Sequence, residues 1–372
     1  MEEKNTVPVW GGNFFPMRLV TLADDIWNVS LDEINNMCYE STQLFRSSLW
    51  IDIGLVKFSL IVLFDGTLVL PRYPKLQKPD ARTLFNKHLT DLMLGGLLVS
   101  EVAADDVTPG SLNLWGYHRH HTPIGRYSKL SQTLRNRSAS PDEAIRLLKP
   151  LTITKAEYLL HHKTGRSLSS KLPQSISTVL LPACTAFTNE EWERALILGW
   201  TSVELVLENL WNTLVMSGNA VNGITPSRRK DFLSDTRTWS ASTRVELLWR
   251  MGVLTDAIYA SIDRARAARN AFVHSAKSCS PDDAKSALEG TLSLIETVAL
   301  KNGLAFEWEN LMRSLEESTS HFRTPITDAT GRLLSEPTHW RYPDPAPGFE
   351  DWGDKPFEKR PELRLKPLKE PL

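Results

Sequence analysis

Twelve residues, Arg264 to Ser275 (RARAARNAFVHS), gather the side chains of this chain best suited to chemistry. Imidazole is the side chain best suited to give or take a proton in neutral solution, and His274 supplies one. Arg264, Arg266 and Arg269 are permanent cations that can hold an anion. Asn270 precedes His274 by four residues, one helical turn, so its amide can orient the imidazole or bind an anionic oxygen. A helix drawn from Ile258 puts Ile258, Ile262, Ala265, Ala268 and Phe272 on one apolar face. Arg266, Asn270 and His274, at i, i+4 and i+8, form a polar stripe roughly opposite. Arg269 falls within about 20° of Ile258 and Ile262, toward the edge of the apolar face. A guanidinium so placed must snorkel or meet a carboxylate. Glu204, between Val203 and Leu207 on an earlier helix, is the candidate partner if the two helices pack antiparallel. A solvated edge position for Glu204 is the equally open alternative. Plainer roles are also open: a histidine at a helix C-terminus is favoured by the macrodipole, and Arg264 and Arg266 are ordinary last-turn cations.

The elements that must position this stretch are helical by pattern. Residues 189–318 open with Thr188-Asn189-Glu190-Glu191. Leu196, Trp200, Val203, Leu207, Leu210, Trp211 and Leu214 follow as a broad apolar stripe. A basic connector over residues 225–230, a short helix over 242–249 and a long helix over 254–273 come next. Ser280-Pro281-Asp282-Asp283 opens a last long helix to about Leu300, and residues 304–315 suggest one more.

In this setting Arg269-Asn270-Ala271-Phe272-Val273-His274 reads as RNxxxH, a form of the R-x(4–6)-H motif. It resembles the signature of HEPN domains (higher eukaryotes and prokaryotes nucleotide-binding), most closely those of bacterial abortive-infection and ApeA-like defence proteins. The resemblance covers about residues 186–318. It implies a metal-independent endoribonuclease with no cofactor, whose nucleophile is the RNA 2′-OH. His274 would serve as acid or base, Arg269 would stabilise the phosphorane, Asn270 would orient the imidazole or bind phosphate, and Arg266 would extend the cationic stripe. One motif supplies one histidine, so the resemblance also implies a homodimer through the helical domain with two motifs in one cleft. An antiviral or toxin setting, with a trigger or antitoxin partner, follows from the same likeness. A non-catalytic HEPN-like module binding nucleotide, RNA or protein is the alternative, and a scaffold that docks a partner by its tail is a third.

The rest of the chain reads as α+β: a mixed α/β region over residues 1–180, the helical domain over 186–318, and a Pro-rich tail over 324–372. Asp65-Gly66 between two apolar runs signals a hairpin within residues 50–70. A helix is expected over residues 31–45, another over 84–94, a strand over 98–107 and a turn at Pro109-Gly110. Residues 138–148 carry a helix start, and residues 166–175 read as a basic connector leading to a boundary near 172–188. Residues 111–172 hold eleven Lys and Arg against three Asp and Glu, which makes Arg119, Arg126, Lys129, Arg135 and Arg137 the candidate RNA contacts. The His118-Arg119-His120-His121 run lacks acidic or cysteine partners and reads as phosphate-contacting or surface charge on a loop, not as a metal site. Eight of the 22 prolines fall in residues 336–372, as in a disordered or partner-docked segment.

The net charge of −1 gives no global field to recruit nucleic acid. Three separated cysteines offer neither a disulfide framework nor zinc spacing. The acidic N-terminus has no secretory apolar run, and the longest apolar run, Leu60 to Phe64, is far too short for a membrane span. A cytoplasmic protein with no membrane partner is expected. No phosphate loop, GxSxG elbow or HExxH is present.

Overall fold

The computed structural model describes residues 6–21, 44–55, 58–135, 151–216 and 231–320. A mixed strand and helix region precedes an all-helical bundle. Among the described residues eight strands run β1 (Thr6–Gly12), β2 (Arg18–Thr21), β3 (Ser47–Leu55), β4 (Phe58–Leu63), β5 (Leu68–Pro71), β6 (Val107–Asn113), β7 (His118–His120) and β8 (Leu151–Thr154). Six of them form one antiparallel sheet in the order β3-β4-β5-β1-β6-β7, while β2 and β8 pair in parallel. The expected hairpin is β4 to β5: Gly66 adopts a positive φ of 83°, and Asp65 Oδ1 accepts from Thr67 N at 3.0 Å. Only a glycine enters that turn without strain, and its Cβ position would meet Arg18 O at 2.8 Å.

Helix α1 (Lys78–Leu94) covers the inner face of the sheet and buries Phe85, Leu89, Leu92 and Met93. It begins six residues before the apolar stripe does. Gln77 and Asp80 form a capping box and a proline sits in the first turn, so the start is set by capping, not by hydrophobicity. Helices α2 (Arg126–Arg135), α3 (Lys155–Ser169) and α4 (Leu180–Thr188) follow.

Several local expectations are corrected. Pro109-Gly110 is not a turn but lies inside β6, opposite Trp10 and Val9 of β1. Pro109 O accepts from His121 N at 3.0 Å, so the missing N–H faces the end of β7 and removes no bond to β1. Gly110 is required there, because a Cβ would lie 2.5 Å from His118 Nε2. Residues 98–103 do not join the sheet: Ser100 N donates to Phe15 O, Glu101 N to Thr185 Oγ1 and Val102 N to Asn86 Oδ1. Side chains and a loop take the donors that a strand ladder would have used. His118 and His120 are not on a solvated loop but buried on β7, ring against ring at 4.6 Å. Residues 166–169 are the end of α3, not a connector. The start of α3 is a T-x-x-E capping box, Thr154 with Glu157. Its buried face is Tyr158, His162, Gly165 and Leu168, in which a histidine and a glycine replace the aliphatics that periodicity relies on.

The helical bundle consists of α5 (Trp192–Trp211), ending in a π-turn at Asn212–Met216, then α6 (Ala241–Arg250), α7 (Asp256–Ser275), α8 (Pro281–Lys301) and α9 (Trp308–Ser320). The most deeply buried is α8, because it packs on both α5 and α7. Its small residues permit close crossings: Gly290 lies against Ile262 of α7, and Gly199 of α5 lies against Ala287, with Thr291 Oγ1 donating to Gly199 O at 3.0 Å. The main hydrophobic core runs from Trp10 in the sheet to Leu315 in α9. At the join, buried Glu101 receives Arg82 of α1 at 2.9 Å and Arg194 of α5 at 2.6 Å. No helix among the described residues is long and apolar enough to cross a membrane. The helix expected over residues 31–45, apart from residues 44–45, the helix expected over 138–148, the connector over 225–230 and the Pro-rich tail lie outside the described residues.

Candidate functional site

The helix carrying RNxxxH is α7. Thr255 caps its N-terminus by accepting from Ile258 N, with Asp256 in the first turn where the macrodipole favours an acid. At the other end Ala276 turns left-handed at φ 48° and donates its N–H to Phe272 O. Ile262 and Ala265 are buried, whereas Ile258, Ala268 and Phe272 are only partly covered. Burial therefore holds the middle of the helix, while Arg269 to Phe272 are only partly covered and Val273 to Ser275 are exposed. Val273 is 49% exposed and His274 is exposed.

The arginines find different partners from those expected. Among the described residues no ion pair joins Arg269 to Glu204, which is solvent-exposed on α5. Arg269 Nη1 instead donates to Asn270 Oδ1 at 3.1 Å. The reason is geometric: the poorly covered C-terminal end of α7 lets the guanidinium reach out sideways, so no carboxylate is needed to pay for its burial. Arg266 binds Asp263 Oδ1 through Nη2 at 2.7 Å and Nε at 3.2 Å. This i,i+3 pair is exposed and adds little to stability, so Arg266 stays available to another anion. Arg264 is turned away to Asp283 and Asp282 at the start of α8. The structure thus keeps Arg269, Asn270 and His274 at one helix end, the first two partly buried and His274 exposed, brings Arg269 and Asn270 into contact, and leaves Glu204 outside the group.

Of the basic candidates, Arg119 is exposed on β7, and Arg126 and Lys129 are exposed three residues apart on α2. Two buried aspartates hold that helix to the sheet: Asp106 accepts from the N–H groups of Tyr127 and Ser128, and Asp65 Oδ2 accepts from Ser131 Oγ at 2.9 Å. Arg137 and the side chain of Arg135 lie outside the described residues. No group of three or more metal-ligating side chains is found among the described residues.

A second polar cluster was not foreseen. Where α1 crosses α3, buried His88 Nε2 meets Tyr158 Oη at 2.8 Å, and the His88 and His162 rings sit 4.8 Å apart. Asp91 Oδ1 accepts from Ser169 Oγ at 2.5 Å, and its Oδ2 lies 3.7 Å from His162 Nε2. The available sequence signals were the Thr154–Glu157 capping box and the i,i+4 spacing of His162 and Arg166 that it sets on a helix. Burial, reinforced by the Arg166 charge, pushes His162 down to about 4, and burial carries His88 in the same direction. A histidine with a depressed folded pKa binds protons more readily when unfolded. Its stability is therefore fully present above about 6.5 and lost as pH falls toward 4. At about 1.4 kcal/mol per unit, discounted for partial solvent screening, His162 alone contributes about 2 kcal/mol. Asp91, raised by burial, acts oppositely: what it contributes is present below the carboxylate range and lost as pH rises through its folded value. The urea midpoint should fall between pH 6.5 and 4, and His162→Gln should flatten that slope. An unchanged slope in the variant would contradict the assignment.

Comparison of the chain with protein-family models, with curated proteins and with solved structures gives no match.

Proposed function

We propose that α7 carries a metal-independent endoribonuclease site of HEPN type, with an antiviral or toxin role and a trigger or antitoxin partner. The observation that carries this reading is the exposed His274 one turn beyond Asn270, with the Arg269 guanidinium tied to that same amide at 3.1 Å. In the proposed reaction an imidazole takes the 2′-OH proton and the 2′-oxygen attacks phosphorus. Arg269 neutralises charge on the phosphorane, and a second imidazole protonates the departing 5′-oxygen. The products are a 2′,3′-cyclic phosphate and a free 5′-OH. Two imidazoles require two copies of α7. The half-covered Phe272 and exposed Val273 beside the motif offer apolar surface for such a two-fold contact. Arg119, Arg126 and Lys129 would hold the RNA backbone.

The test is purified protein with total RNA in EDTA, followed by end-group analysis. Cyclic phosphate ends that depend on Arg269 support the reading, and intact RNA at every protein concentration refutes it. The rival is a HEPN-like module that binds RNA, nucleotide or protein without cutting. It predicts salt-dependent RNA binding that survives His274→Gln.

A further inference from the structure

The crossing of α1 and α3 encloses more than a buried cluster. Between them, β3 and the segment leading into α4 lies a cavity of about 300 Å³, within the size range of small-molecule sites. Its floor and its mouth differ in character. The floor is polar and buried: His88, Thr90, Asp91, His162 and Ser177 are all less than a tenth exposed. At the mouth stand two exposed cations, Lys87 of α1 and Arg166 of α3. Leu84, Leu172, Pro173 and Ile176 line the apolar side.

The charges do not cancel. Among the lining residues two cations face one carboxylate, Asp91. Neither cation forms an ion pair with a carboxylate among the described residues. Arg166 gives one Nη1 bond to a backbone oxygen, Asp52 O at 2.6 Å, which places its guanidinium and leaves its other donors for a ligand. The floor also has capacity to spare. His88 is 2% exposed, its Nε2 is engaged by Tyr158, and no described residue hydrogen-bonds its Nδ1. An unpaired buried polar atom is costly, and cavities that keep one commonly serve a ligand or an ordered water. Asp91 keeps lone pairs beyond the one that Ser169 fills.

We infer that this cavity is a binding site for a small phosphate monoester of a hydroxyl-bearing body, a sugar phosphate or a nucleoside monophosphate. The phosphate would meet Lys87 and Arg166 at the mouth. The hydroxyls would donate to Asp91 and hydrogen-bond to His88 Nδ1, and the body would lie against Leu84 and Pro173. A phosphate alone would leave the floor unpaired, and an uncharged nucleoside would leave the mouth uncompensated. Length and polarity together therefore select the conjugate. The site stands whether or not α7 cleaves RNA, because the two share no residue.

The experiment is titration calorimetry on the full chain with adenosine 5′-monophosphate, ribose 5-phosphate, adenosine and inorganic phosphate, backed by thermal shift. Saturable binding of at least one of the two monoesters is expected, at least about tenfold tighter than adenosine or phosphate. Which monoester binds better separates the nucleotide from the sugar phosphate. Lys87→Gln combined with Arg166→Gln should weaken that binding by tenfold or more. Both positions are exposed, so the fold should survive the change. Asp91→Asn should erase the preference for the monoester over inorganic phosphate. If Asp91→Asn does not fold, the exposed pair decides alone. The proposal is overturned if neither monoester binds, if phosphate binds as tightly as both, or if the double variant binds like the wild type.

Discussion

His274→Ala should lower RNA cleavage by about 10² to 10⁴-fold while leaving the melting temperature almost unchanged. The first figure is the usual contribution of a positioned acid–base group. The second follows from burial: His274 is exposed at the end of α7. Its one expected stabilising role is a favourable contact with the C-terminal end of the α7 dipole, about 0.3–1 kcal/mol. Loss of activity with an intact fold is therefore the signature of chemistry. A variant that still cuts RNA at the wild-type rate would remove His274 from the chemistry. A mixed dimer adds a second readout. If two imidazoles act across one cleft, wild-type chains titrated with an excess of His274→Ala should lose activity faster than their own dilution predicts.

Gly165→Ala should destabilise the protein by about 3 kcal/mol or more, although helix propensity alone predicts the opposite sign. In a helix interior alanine is favoured over glycine by about 1 kcal/mol. Here that gain is overridden. A Cβ on Gly165 would stand 1.6 Å from Asp91 O and 2.7 Å from Gly95 N. Gly95 is in the same position across the crossing, its Cβ 2.0 Å from His161 O. Both obstacles are backbone, which cannot rotate aside, so α1 and α3 must separate. Overpacking that moves backbone costs about 1–3 kcal/mol or more. Separation would also stretch the His88–Tyr158 and Ser169–Asp91 bonds that the crossing holds. Gly303→Ala is the control. Gly303 has φ 67° with nothing within 4 Å of its Cβ position, so only left-handed strain of about 1–2 kcal/mol applies. Urea titration of both variants checks the ranking. A Gly165 variant at least as stable as the wild type would mean that the helices do not cross this closely.

Helix α7 shows both the reach and the limit of sequence periodicity. The apolar spacing of Ile258, Ile262, Ala265 and Ala268 predicts the helix and the face that meets α8, and both are found. It does not predict how far along the helix the bundle extends. Full burial ends at Ala265, and that decides the partner of Arg269. An arginine pressed into a core needs Glu204; one at an open helix end reaches Asn270. In α3 the limit is of another kind. His162 and Gly165 occupy core positions without carrying hydrophobicity, so the helix is marked only by its Thr154–Glu157 capping box.

The local elements were therefore legible in the chain: the Asp65-Gly66 hairpin, the helix start at Ser280, and the i, i+4, i+8 stripe of Arg266, Asn270 and His274. These depend on neighbours within a turn or two, where backbone geometry leaves few choices. Only the tertiary structure decided which polar groups meet. It buried His118 and His120 against glycines of the sheet and set His88, Asp91, His162 and Ser169 around one cavity. It also left the α7 motif exposed. The physical reason is that burial and hydrogen-bond pairing are fixed by segments far apart in the chain. Asp91 and Ser169 are 78 residues apart in sequence and 2.5 Å apart in space.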